Sequence, residues 1–141
     1  MARASFLKAL LPALAIGWTA AAGAQTYPTQ NVRIVVPFPP GGGIDILIRA
    51  IAAELSPKWG KPVIIENKAG AGSMIGAEAV ARADPDGHTL LATVNPTMTA
   101  NRFLYKSLPY DPDKSFTPVT LMVQSEQYLV AHSSVKANDL R

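Results

Sequence analysis

Arg33-Ile34-Val35-Val36-Pro37-Phe38-Pro39-Pro40-Gly41-Gly42-Gly43-Ile44-Asp45 carries the change of period on which the fold turns. Up to Phe38 the run is apolar and β-branched without polar alternation, the pattern of a strand buried on both faces. Pro39-Pro40 closes it and three glycines follow. Beyond them Ile44, Leu47, Ile48, Ile51, Ala52 and Leu55 fall at i, i+3, i+4, i+7, i+8 and i+11, one face of an α-helix reaching to about Ser56. Pro57 and Gly60 are its expected stop signals. A buried strand, a glycine turn and an amphipathic helix are the first half of a β-α-β unit.

Working outward, Pro62-Val63-Ile64-Ile65-Glu66 reads as a second strand and Asn67 to Gly72 as a small-residue loop. Ser73 is expected to cap, through its hydroxyl, a helix from about Met74 to Arg82. Asp84-Pro85-Asp86-Gly87 is a turn, Thr89 to Val94 a third strand, and Asn95-Pro96 a further turn. A short helix is expected near Asn101 to Tyr105, further strands over Pro118 to Val123 and Gln127 to Ala131, and the start of a helix from Val135. Such an order predicts the α/β class, a mainly parallel sheet flanked by helices. Ligands of such sheets bind beyond the carboxyl ends of the strands. The loops to watch are therefore Pro37 to Asp45, Asn67 to Ser73 and Val94 to Thr99.

The chain has 141 residues and no cysteine, which excludes disulfides, thiolate metal sites, cysteine nucleophiles and lipidated cysteine anchors. Its net charge is only +3, with 16% charged and 48% hydrophobic residues, so neither nucleic-acid binding nor intrinsic disorder is favoured. Residues 1–24 read as a cleavable signal peptide: Arg3 and Lys8 at the start, an apolar core from Ala9 to Ala21, and Ala22-Gly23-Ala24 before Gln25. The core is short of a bilayer span and contains Pro12 and Gly17, so no stable membrane insertion is expected.

The glycine loop admits two readings: a tight connection, or an anion site in which unshielded amides and a helix N-terminus face a carboxylate. In the second reading Gly42, at its centre, is expected to need positive φ. Asp45 could complement the helix dipole and pair with Arg49, or gate the site. Gly76 weakens a helix unless a close backbone approach requires it. His88 and His132 read as structural or surface residues, and neither a nucleophile elbow nor a zinc helix is present, so no enzyme is expected. Phe103, Tyr105, Tyr110 and Phe116 read as a satellite cluster pinning the irregular segment, with a protein-contact patch as the alternative.

Taken together, Tyr27-Pro28, the Ile34 to Asp45 stretch, Val63 to Gly72, Ile75 to Ala81, Pro85 to Leu91, Leu104-Tyr105 and Leu108 to Pro112 resemble the periplasmic solute receptors of tripartite tricarboxylate transporters, the Bug or TctC-like family. The resemblance implies a type II periplasmic-binding-protein fold in which two lobes close over a small carboxylate-bearing solute, delivered to membrane permease subunits, with no cofactor, no metal and no nucleic-acid partner. It implies residues 25–123 as an incomplete first lobe and 124–141 as a crossover and the start of a second lobe that the chain does not complete. It further implies Pro39, Gly41, Gly42, Gly43 and Asp45 as the ligand loop, Gly72, Ser73 and Met74 as a neighbouring wall, and Asn95 and Thr97 on the third loop. A secreted interaction module, or a receptor fragment without function, is the alternative.

Overall fold

A computed structural model of the chain describes residues 26–126, 128, 130–132, 134 and 135. The expected signal peptide, the helix expected from Val135, and parts of the last expected strand lie outside the described residues.

Strand β1 (Val32–Val36) leads into helix α1 (Gly43–Trp59), strand β2 (Val63–Asn67), a 3-10 turn (Ala71–Ser73), helix α2 (Met74–Ala81), strand β3 (Thr89–Leu91) and two short helices, α3 (Asn95–Met98) and α4 (Asn101–Leu104). The three strands are parallel in the order β2-β1-β3. Because β1 is central, it is buried on both faces at every residue but Arg33, and its side chains divide by the period of two. Val32, Ile34 and Val36 form the main core with Ile48 of α1 and with Ala92, bordered by Ile44, Ile51, Val63, Ile65 and Leu90. On the other face Val35 and Pro37 are fully buried. There α2 comes so close that a Cβ at Gly76 would lie 2.7 Å from Pro37 Cβ and 3.0 Å from the Lys68 carbonyl.

Helix α1 runs past Pro57 to Trp59, ending at Gly60 in the left-handed region, φ 62°. Proline does not stop it because Ala53, whose carbonyl loses its partner, lies on the exposed face where water can replace the bond. One turn before, the Ser56 hydroxyl donates to the Ala52 carbonyl at 2.8 Å and accepts the Val63 N–H at 3.1 Å, tying the helix end to the start of β2. At the amino end of the sheet, Tyr27 packs edge-on against Trp59 at 5.8 Å and donates its hydroxyl to the Gly87 carbonyl. Beside it His88 Nε2 accepts the Thr29 N–H at 3.2 Å, so this histidine is a structural tie.

Four expectations are corrected. Strand β3 stops at Leu91, and Asn95-Pro96 opens a helical turn instead of a bend, since proline near a helix start has no N–H to satisfy. Pro118 to Val123 is not a strand: Val119 and Leu121 are 80% and 78% exposed, and no strand pairs with them among the described residues. Alternating apolar residues do not make a strand without a neighbour to complete the ladder. Of the aromatic set, Tyr110 is buried and packs edge-on against Phe116 at 5.6 Å, whereas Phe103 is 85% exposed and stands apart.

The contact at Gly76 generates a prediction. Gly76→Ala should lower stability by about 1–3 kcal/mol in urea unfolding, although alanine is the better helix former, because overpacking against Pro37 outweighs propensity.

Candidate functional site

With β1 central and the crossovers running outward on either side, the chain changes direction between β1 and β3, and the crevice beyond their carboxyl ends is where a parallel sheet of this order binds ligands. Three loops meet along this edge: residues 37–42 after β1, 68–70 after β2 and 92–94 after β3.

The first loop is held by one carboxylate. Asp45, 2% exposed, accepts the Gly41 N–H at 2.8 Å and Arg49 Nε at 2.9 Å on Oδ2, and Asn67 Nδ2 at 2.8 Å on Oδ1. Asn67, the last residue of β2, also donates to the Phe38 carbonyl at 3.1 Å and accepts from Arg49 at 2.9 Å. With three donors converging, the carboxyl is held well below the usual carboxylate range, chiefly by the Arg49 hydrogen bond, then by those of Gly41 and Asn67. The pairing with Arg49 is thus formed, and it buries Asp45 as a fastener of the loop. Gly41 spends its amide on Asp45, so Gly42 and Gly43 carry the amides left at the front of the loop. The backbone requirement is also displaced by one residue: Gly41 has φ 84°, while Gly42 has φ −72°, which any residue adopts.

The second and third loops are joined by hydroxyls. Ser73 does not cap α2; it sits at φ 74° with no side-chain cap bond. Its Oγ instead donates to the Gly72 carbonyl and meets Thr97 Oγ1 at 2.7 Å, and Thr97 Oγ1 meets Thr93 Oγ1 at 2.6 Å. Behind them Asn101 Nδ2 donates to the Gly72 carbonyl at 2.9 Å and Tyr110 donates its hydroxyl to the Thr97 carbonyl at 2.7 Å. Of the expected site residues, Pro39, Gly41, Gly42, Gly43, Gly72 and Asn95 are exposed on this edge and Met74 is half-buried; Asp45, Ser73 and Thr97 are buried with their polar atoms engaged. Thr93, Asn101 and Tyr110 were not expected here, and Asn67, though it opens the second candidate loop, was not singled out as a site residue. Asn67 at the end of an apolar strand, on the sheet next to the Asp45–Arg49 pair, was the only one with a local signal.

A shallow concavity of about 360 Å³, lined by Gln30, Arg33, Arg82, Asp84, Asp86 and His88 among others, lies at the opposite, amino edge. No group of acidic residues and histidines among the described residues could hold a metal ion.

Residues 47–141 match the family model described as tripartite tricarboxylate transporter family receptor. The chain belongs to this receptor family. Among family relatives, Protein BugT of Bordetella pertussis is 35% identical over 125 residues, 88% of this chain and 38% of that protein. Two solved structures share the architecture. The periplasmic binding protein BugD is 41% identical with a TM-score of 0.59, covering 65% of this chain and 30% of that one. MatC from Rhodopseudomonas palustris with bound malate is 46% identical with a TM-score of 0.60, covering 66% of this chain and 32% of that one. The chain spans about two fifths of the length of the curated relatives it matches. No helix among the described residues is long and apolar enough to cross a membrane.

The buried carboxylate of this receptor-family loop makes stability depend on pH. Its folded pKa lies below the unfolded value near 4, so its stabilisation is complete above that value and is lost progressively as pH falls from there through the folded value. Thermal melts should show Asp45→Asn several degrees below wild type at pH 7, with the gap closing as the pH drops below about 4. The glycines separate in the same assay: Gly41→Ala should cost about 1–2 kcal/mol, Gly42→Ala little, its nearest non-neighbouring atom being the Pro39 carbonyl at 3.6 Å.

Proposed function

We propose that the gene product is a periplasmic solute-binding receptor that captures a small carboxylate-bearing solute at the carboxyl edge of this sheet and delivers it to the permease of a tripartite tricarboxylate transporter. One observation carries the reading: an unshielded amide run, Gly42-Gly43, at the N-terminus of a 17-residue helix, set at the β1–β3 crevice in a chain of the receptor family. Amides that point from a helix start favour a carboxylate without requiring a basic side chain. The malate seen with MatC supports a carboxylate as the solute class. In this reading Pro39, Gly42, Gly43, Gly72, Met74 and Asn95 line the solute, and Asp45, Ser73 and Thr97 hold the lining in place.

Residues 1–24 then act as the export signal, 25–123 form part of the first lobe, and 124–141 pass towards a second. The family model and the periplasmic relatives support export, and the apolar core of residues 9–21 before Ala22-Gly23-Ala24 supplies the signal. Binding energy spent on holding a solute needs no nucleophile or general base.

Two measurements check the proposal. Ligands at a hundred times their dissociation constant stabilise a protein by about 2.7 kcal/mol, so dicarboxylates such as malate and adipate should raise the melting temperature of the purified gene product by several degrees. An unchanged melt across di- and tricarboxylates would overturn the reading. Mass spectrometry of the periplasmic fraction should find a mature chain that begins at Gln25.

A further inference from the structure

We propose that His88 makes the clasp at the amino edge of the sheet a pH-operated latch: the neutral ring holds the segment ahead of β1, and the charged ring releases it. The latch lies at the end opposite the glycine loop and does not depend on what binds there. The polar ties of residues 27–31 converge on one turn. Tyr27 donates its hydroxyl to the Gly87 carbonyl at 2.9 Å, Thr29 donates its N–H to His88 Nε2 at 3.2 Å, and Gln30 Nε2 donates to Asp86 Oδ2 at 3.1 Å. Pro28 is buried but Tyr27 is 48% exposed, so much of the hold rests on those ties. From Val32 onward the sheet takes over, beginning with the Val32 N–H on the Pro62 carbonyl at 3.0 Å, so release stops at β1.

A neutral imidazole has one ring nitrogen with a lone pair and one with a proton. The Thr29 amide can only donate, so Nε2 carries the lone pair and Nδ1 the proton. Nδ1 is buried and faces Asp86 Oδ2 at 3.3 Å without a well-directed hydrogen bond. A second proton must go to Nε2, where it meets the Thr29 N–H with no acceptor between them. Thr29 Oγ1, 3.3 Å from the same nitrogen, can turn from donor to acceptor, but the amide cannot. On the other side the charged ring converts the Asp86 contact into an ion pair. Asp86 thus favours the proton that the Thr29 amide cannot tolerate.

Histidine is the side chain that ordinarily changes charge between about pH 5 and 8. The groups around the ring do not compete in that range. Asp86 is held below the usual carboxylate range, first by the His88 N–H, and burial raises the Tyr27 phenol, so one remains ionised and the other neutral. Arg33, Arg82 and Asp84 line the concavity beside the ring, Arg33 paired with Glu66 and Arg82 with Glu78, and arginine and aspartate do not ordinarily titrate there. The loss of stabilisation at Asp45 begins only near pH 4, so the two events are separate.

Trp59, against which Tyr27 packs edge-on at 5.8 Å, is the only tryptophan after residue 24 and reports the latch. In the purified gene product its emission should shift to the red by several nanometres between about pH 8 and pH 5, reversibly and with far-UV circular dichroism unchanged. His88→Gln, whose amide oxygen can accept the Thr29 N–H but takes up no proton, should hold the emission in its alkaline position throughout. Asp86→Asn removes the charge that favours the second proton and should move the transition to lower pH. A wild-type emission that is flat across this range, a glutamine variant that keeps the transition, or a red shift accompanied by loss of helical signal would overturn the latch. If the glutamine variant does not fold, Asp86→Asn decides, and a transition that stays in place or moves to higher pH would overturn it.

Discussion

The site edge depends on the burial of one negative charge. Removing a carboxylate from water is costly unless hydrogen bonds replace the lost hydration, and Asp45 obtains them from three separate parts of the chain: the glycine loop, the next turn of its own helix, and the end of β2. Those bonds set where α1 begins relative to the sheet. They also decide which amides are spent and which remain, since Gly41 is consumed in the fastening. A loop of glycines has little intrinsic preference for one conformation, and here the order comes from a side chain four residues away.

A second constraint works in parallel at β2 and β3, by different chemistry. There the fastening is neutral: hydroxyls, one carbonyl, an asparagine and a tyrosine. Tyr110 comes from the irregular segment beyond α4, so that segment is part of the scaffold even though it contains no regular structure. Its contribution to the edge is a single buried hydroxyl, backed by the ring of Phe116.

Much of the layout was legible from the chain. The unalternated run at β1 identified a buried strand, the 3.6 period identified α1, and the Asp45–Arg49 spacing announced their pairing. Gly76 announced a close approach without saying to what. The remainder depended on contacts between residues far apart in sequence. Nothing local tells that Ser73 turns away from the helix it precedes, because its competing partner, Thr97, lies across the crossover. Nor does an alternating stretch such as Val119 to Val123 disclose whether a strand waits beside it. The glycine needing left-handed geometry was misplaced by one position because three identical residues give no clue to which of them makes the turn. Candidate ligand residues were found by loop position, but position does not distinguish a residue that faces the crevice from one that braces it.

The clasp of Tyr27, Trp59 and His88 gives the molecule a polarity with a practical meaning. It anchors the first described residues at the amino edge of the sheet, the end opposite the glycine loop. Anything attached ahead of Tyr27, such as an affinity tag, a fluorescent protein or a surface tether, therefore leaves from the back of the molecule. Immobilised by that end, the protein presents its carboxyl edge outward, so a sensor built on this scaffold should be tethered by its N-terminus.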